Sequence, residues 1–229
     1  MEHSSTEFDE KLDKIDHYVK YPEMRPWVGT DYNNQKVKVL TIGESHYLAK
    51  GSTYHINADD WYDGISMSDK PDKAGIHTRN VIFNGIKTNW KKKSKVIFKN
   101  TEDALFLSNL FPVKPESAYY NIAFMNFFQR PAEKTGKSIK VKSVDLAISK
   151  QVFSEVVNII NPTTVLFTSV LAYKNAKKNC VLRYLTSNNI PFVKCPHPAT
   201  SWWNRESKAY GNKTGKNHFI SFINEQVSV

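Results

Sequence analysis

The stretch VKVLTIGESHY, Val37 to Tyr47, decides the fold. Its first seven residues, Val37 to Gly43, form a continuous apolar and β-branched run, the pattern of a strand buried on both faces in a parallel sheet. A glycine, a carboxylate, a hydroxyl, an imidazole and a phenol then follow without a break. In an open parallel sheet, ligands sit outside the carboxyl ends of the strands. The exit GESHY, Gly43 to Tyr47, is therefore the first place to look for a site.

Upstream, Phe8, Leu12, Ile15 and Val19 recur at helical spacing until Pro22 and Pro26 stop the pattern, which predicts an amphipathic leading helix over Phe8 to Tyr21. Residues 1–36 thus read as a leading helix and extension. Downstream, Glu44 to Ala74 is rich in Asp, Ser, His and aromatic residues without periodicity, and reads as a long loop around a short helix. Thr78 to Trp90 reads as a helix. The cluster KKKSK, Lys91 to Lys95, ends it and reads as a solvated loop, with a phosphate-contacting patch as the alternative.

Two further apolar runs, ALFLSNL (Ala104 to Leu110) and IAFMNFF (Ile122 to Phe128), each suit a sheet strand. Ser143 to Ile160 carries Val144, Ile148, Val152, Val156, Ile159 and Ile160 at helical spacing and ends at Asn161-Pro162. A buried strand, TTVLFTS, comes next, then a helix from Leu171 to Ser187. The short strand IPFVKCP, Ile190 to Pro196, leads into the turn HPATSWWNR and a final helix over Lys216 to Gln226. Strands alternating with helices of this length imply βαβ crossovers. The expected fold is a three-layer α/β/α domain spanning 1–229, with a central, mainly parallel four-stranded sheet.

Lys and Arg number 32 against 22 Asp and Glu, a formal charge of +10. Such a surface attracts polyanions, nucleic acid first and an anionic membrane surface second, although solubility alone also accounts for it. Cys180 and Cys195 are too few for a four-cysteine zinc or iron–sulfur site and give no disulfide framework. They fit a reducing cytoplasm. The segment MEHSSTEFDEKLDKIDHYVKY lacks the basic start and apolar core of a signal peptide, and no apolar run approaches the roughly 18 residues of a membrane span. The sequence thus points to a soluble cytoplasmic protein without a membrane partner.

Three strand exits share a polar character: GESHY, MNFFQRP (Met125 to Pro131) and CPHPATSWW (Cys195 to Trp203). In order and approximate spacing they resemble the uracil-DNA glycosylase superfamily. In that family a Gly-rich strand exit, a strand-borne Asn and a late His-Pro turn build a base pocket. GESHY is similar to its first motif, IAFMNFFQRP to its Asn strand, NPTTVLFTSVLAY to the segment before the last motif, and HPAT to that motif. The resemblance covers about Val37 to Phe222.

It implies a base-excision enzyme that flips uracil or another damaged pyrimidine out of DNA, single-stranded or damaged duplex, and hydrolyses its glycosidic bond without a metal or organic cofactor. Such cleavage develops oxocarbenium character in the sugar and negative charge on the departing base. Glu44 would stabilise the sugar cation or orient a water, and His197 would donate to the base oxygen. The Asn126 amide, both donor and acceptor, would read the edge of uracil and mismatch cytosine. Tyr47 and Phe127 would supply stacking faces, with Trp61 and Tyr62 nearby in sequence. Ser201, Trp202, Trp203 and Arg205, around and after the His-Pro turn, would meet the DNA.

Each residue also has a plainer reading. Glu44 and Ser45 suit a helix N-terminus, His197 before Pro198 shapes a turn, Asn126 is a capping or core amide, and Trp202 and Trp203 cap a core. The family pattern is also broken in places. Ser45 stands where the best-known branch carries a catalytic Asp, although another branch has Glu at the position of Glu44. That branch binds an iron–sulfur cluster through four cysteines, which two cysteines cannot do. His46 replaces a common Pro, Ala199 replaces a common Ser, and Asn109 in LFLSNLFP rivals Asn126. Two other functions stay open: a binding module that keeps the pocket without turnover, and a hydrolase of free nucleosides or nucleotides.

Overall fold

Val39, Leu40 and Ile42 have no solvent exposure, so the run that opened the reading becomes a strand closed on both faces. In the computed structural model, which describes residues 4–67 and 70–228, it is β2, Val39–Gly43. Its neighbours are β3, Ala123–Asn126, and β4, Thr164–Phe167, both parallel to it. Beyond β4 lies β5, Phe192–Lys194, again parallel. β1, Trp27–Val28, pairs antiparallel with β3 and completes a five-stranded sheet in the order β1-β3-β2-β4-β5. The sheet thus has one strand more than expected. The addition comes from residues 1–36, where Trp27 is sealed in the core and its indole N–H donates to the Tyr119 carbonyl at 2.6 Å.

Side chains alternate across a strand, and the alternation divides the core in two. Leu40, Ile42, Met125, Val165 and Phe167 join one apolar cluster, with Val152, Phe153 and Val156 of the long helix after β3. Val39, Phe124 and Leu166 join the other, with Phe98, Leu105, Phe219 and Ile223.

The helices in chain order are α1 (Asp9–Leu12), α2 (Asp16–Lys20), α3 (Ala58–Gly64), α4 (Lys70–Ile76), α5 (Thr78–Lys87), α6 (Val96–Phe106), α7 (Ser143–Ile160), α8 (Val170–Lys178), α9 (Val181–Ser187) and α10 (Gly215–Val227). A two-stranded ribbon, β6 (Glu206–Ser207) with β7 (Lys213–Thr214), lies between β5 and α10. Among the described residues, no helix is long and apolar enough to cross a membrane.

Several elements differ from expectation for local reasons. The leading helix is split into α1 and α2, and Asp9 is tied down by Arg79 and Arg25. The long loop after β2 holds α3 and the start of α4, and its Ser68 and Asp69 lie outside the described residues. ALFLSNL is the end of α6 and a turn, because Ala104 and Leu105 continue a buried helical stripe begun at Phe98 and Thr101. The helix expected over Leu171 to Ser187 breaks at Cys180, whose φ of 62° is left-handed.

Arg130, just past β3, is fully buried, and each of its five N–H groups finds an acceptor. Two carboxylate oxygens of Asp145 lie at 2.9 and 2.8 Å, Glu133 Oε1 at 3.0 Å, and the His55 and Lys140 carbonyls at 2.8 and 3.1 Å. Asp145, in the first turn of α7, also accepts from the Tyr62 hydroxyl and the Lys142 N–H. Removing one partner of such a pair strands a charge where water cannot reach it. Asp145→Ala is therefore expected to destabilise the fold by about 3–5 kcal/mol, measured by urea unfolding. A loss below about 1 kcal/mol, the scale of an exposed pair, would show that Arg130 finds other compensation.

Candidate functional site

The strand exits converge. Glu44, Ser45, His46 and Tyr47 after β2, Asn126 at the end of β3 and His197 after β5 all line one cavity of about 430 Å³. That volume falls in the roughly 300–1,000 Å³ range of ligand pockets. Backbone hydrogen bonds zip the exits together: Phe127 N–H to the Gly43 carbonyl at 3.1 Å, Phe128 to Glu44 at 2.9 Å and Ala132 to His46 at 2.9 Å. The opposite wall comes from α5, α6 and the turn before α6, with Thr78, Val81, Lys95, Ile97 and Phe98.

Gly43 is needed for close approach. A Cβ there would lie 2.4 Å from Asn126 Oδ1 and 2.9 Å from Phe124 Cζ, so any side chain would push the Asn126 amide aside. Among the described residues that side-chain amide makes no hydrogen bond within the protein; Gln129 Nε2 donates at 2.8 Å to the Asn126 main-chain carbonyl instead. An unengaged amide on a cavity wall is free to read a ligand.

Glu44 Oε2 accepts from the Ser169 hydroxyl at 2.9 Å, and Ser169 Oγ itself caps α8 by accepting from the Ala172 N–H at 3.1 Å. The carboxylate is thus oriented by a buried side chain at the exit of β4. His197 Nδ1 accepts from the Ala199 N–H at 3.2 Å. A ring nitrogen that accepts carries no proton, so in the neutral ring the proton sits on Nε2 and makes it a donor. Burial lowers the His197 pKa, with the Glu44 charge opposing, which favours that neutral ring. The turn itself is pinned where Asn100 Nδ2 donates to the Pro198 carbonyl at 2.7 Å.

Other expected residues lie elsewhere. Phe127 is not at the cavity; it is fully buried against Phe128, Phe153 and Phe167. The period of two that turns Asn126 to the cavity turns Phe127 away and brings Phe124 to the wall, edge-on to Phe98 at 5.2 Å. Trp61 and Tyr62 are core residues as well. Tyr47 does line the cavity, its hydroxyl donating to the Lys137 carbonyl at 3.2 Å. Trp203 is buried edge-on to Phe219, whereas Ser201, Trp202 and Arg205 of that turn are exposed. Asn109 is not among the lining residues, and its N–H donates to Asn224 Oδ1 instead. Ser169, Phe124 and Phe98 are not among the residues expected at the site, and Lys95 is expected only as part of the KKKSK loop or phosphate-contacting patch. The exit of TTVLFTS was a usable signal for Ser169, and strand alternation for Phe124.

Among the described residues, no group of three or more His, Cys, Asp or Glu side chains is placed to hold a metal ion. No family model matches the chain, and no curated protein matches it.

Two predictions follow from this geometry. Gly43→Ala should overpack the Asn126 contact, costing about 1–3 kcal/mol of stability and weakening any ligand of the cavity. Calorimetric titration and thermal unfolding of the same variant read the two effects.

The second concerns acid. Burial, helped by His46 and Lys20, lowers the His17 pKa from 6.5 to about 3, and burial, helped by His77, lowers that of His46 to about 3. Both stay neutral in the folded protein, whereas the unfolded chain takes up a proton at each below about pH 6.5. The stabilisation is complete above that pH and is lost as pH falls from 6.5 towards 3. With two such groups the slope is on the order of 2–3 kcal/mol per pH unit. Urea unfolding at pH 7 and pH 5.5 should show it, with His46→Gln removing about half of the slope; equal stability at both pH values would contradict it.

Proposed function

We propose that this protein hydrolyses the N-glycosidic bond of uracil, or of another damaged pyrimidine, in DNA. The observation that carries the reading is the meeting of Glu44, Asn126 and His197, from three strand exits separated by dozens of residues, on one cavity wall. It agrees with the motif order that resembles the uracil-DNA glycosylase superfamily, and the mostly parallel α/β sheet is compatible with the three-layer α/β/α arrangement that the resemblance implies.

In this reading the flipped base enters beside the Asn126 amide and against the edge-paired rings of Phe124 and Phe98. The Asn126 amide pairs with the adjacent donor and acceptor of uracil. As the bond to the sugar lengthens, negative charge gathers on the base oxygen, and His197 Nε2–H donates to it. Glu44, oriented by Ser169, faces the sugar side, where it stabilises the oxocarbenium ion or orients the attacking water. The exposed Ser201, Trp202 and Arg205 follow the His197 turn and meet the strand, and the charge of +10 draws DNA towards them.

An oligonucleotide carrying one uracil tests the proposal. Wild type should leave an alkali-labile abasic site. Glu44→Gln and His197→Ala should each slow that step about 10²- to 10³-fold, the usual effect of losing one preorganised transition-state contact. DNA affinity should persist in both and fall steeply with salt in all three proteins. Asn126→Asp should alter the preference between uracil and cytosine. Salt-sensitive binding with every base left intact would instead identify a binding module, with Ser45 the mark of lost activity. No DNA binding even at low salt would favour a hydrolase of free nucleosides.

A further inference from the structure

Lys95 is the only lysine or arginine among the described residues lining the cavity. Its neighbours Lys91, Lys92 and Lys93 are exposed, whereas Lys95 is partly buried, its Nζ 5.7 Å from the centre of the Phe98 ring. Its place is set by Trp90, whose ring packs onto Gly85 and whose indole N–H donates to buried Glu102. A Cβ on Gly85 would fall 1.9 Å from that ring, so the turn entering α6 is anchored close against α5.

None of the ion pairs among the described residues includes Lys95. A cavity lysine held in no ion pair, with a helix N-terminus at its back, has little to hold its proton. Burial, with Lys92 adding to it, pushes its pKa down to about 8. Near neutral pH a useful fraction is therefore free amine, the form that attacks carbonyl carbon.

We propose that Lys95 is a nucleophile that condenses with the C1′ aldehyde of a deoxyribose that has lost its base. The site resting on the reading above is the same one, and the sugar aldehyde is the open-ring form of the product that reading generates. The Nζ lone pair attacks C1′ and a C–N bond forms. The carbonyl oxygen leaves as water with the two protons the amine gives up, so the product is an imine and nothing is oxidised or reduced. Lys95 thereby holds the abasic product in the cavity.

The test uses a labelled oligonucleotide with a preformed abasic site, so that base removal is not required. Incubated with the full chain and borohydride, it should give a covalent secondary-amine adduct that peptide mass spectrometry assigns to Lys95. Lys95→Met should lower the adduct at least about tenfold, and Lys93→Met should leave it within about twofold, because only the cavity amine is both desolvated and poised. Yield should rise between pH 6 and pH 8. Circular dichroism and salt-dependent DNA binding confirm that Lys95→Met is folded and still meets DNA. Adduct spread over the surface lysines, or unchanged in Lys95→Met, overturns the proposal. Uracil removal without a Lys95 adduct overturns it while leaving base excision intact, and a Lys95 adduct without uracil removal does the reverse.

Discussion

A guanidinium with no access to water tolerates no unmet donor, and Arg130 meets all five of its own at once. The acceptors come from three stretches of chain: His55 in the loop before α3, Glu133 and Lys140 in the loop before α7, and Asp145 within α7. Leaving the charge unpaired would cost several kcal/mol, so these stretches are fixed together or not at all. Arg130 stands four residues beyond Asn126. The cluster thus holds the segment that leaves β3, and with it the backbone that presents the Asn126 amide to the cavity. Nothing in the sequence marks Arg130 for burial, since an isolated Arg between Gln129 and Pro131 reads as surface.

The parts of the fold that were legible were those with a long periodic or unbroken apolar signal. Val39–Gly43, Thr164–Phe167 and Ser143–Ile160 follow from their patterns almost to the residue. β1 was not legible because a two-residue strand has no period; it exists through its antiparallel pairing with β3, Trp27 opposite Phe124 and Val28 opposite Ala123, far along the chain. The break between α8 and α9 was hidden for another reason. The apolar spacing continues across Asn179 and Cys180, while the backbone turns left-handed there and Asn179 donates to the Leu146 carbonyl on α7.

The site was legible at the strand exits and poorly legible beyond them. Glu44, Asn126 and His197 could be picked because sheet topology puts strand ends together, whatever the loops do. Phe127 shows the limit of picking by motif: one residue along a strand is the opposite face, and the aromatic at the cavity is Phe124. Trp202 and Trp203 are adjacent and identical in type, yet one is exposed and the other sealed against Phe219. Lys95 differs from the lysines beside it only in where Trp90 anchors the turn, a tertiary contact that no local pattern encodes.

The hydrogen bond from Ser169 to Glu44 falls at the one point in the sheet where topology makes room for it. From β2 the chain moves on to β3, and from β4 it moves on to β5, on opposite sides of the β2–β4 pair. The two connections diverge there and open a crevice at the carboxyl ends, the switch point at which doubly wound sheets bind ligands. Ser169 serves both sides of the crevice, capping α8 with its oxygen and steering Glu44 with its proton. The remaining walls differ in kind. Asn126 and His197 offer polar groups at the sheet end, while Val81, Ile97, Phe98 and Phe124 give the cavity an apolar lining. A flat heterocycle has the same division between its polar edge and its apolar faces. With water displaced from the apolar side, the few charges and dipoles on the polar side act through a lower dielectric and count for more. The crevice therefore supplies shape and polarity together, from a sheet order that was set by unbroken apolar strands.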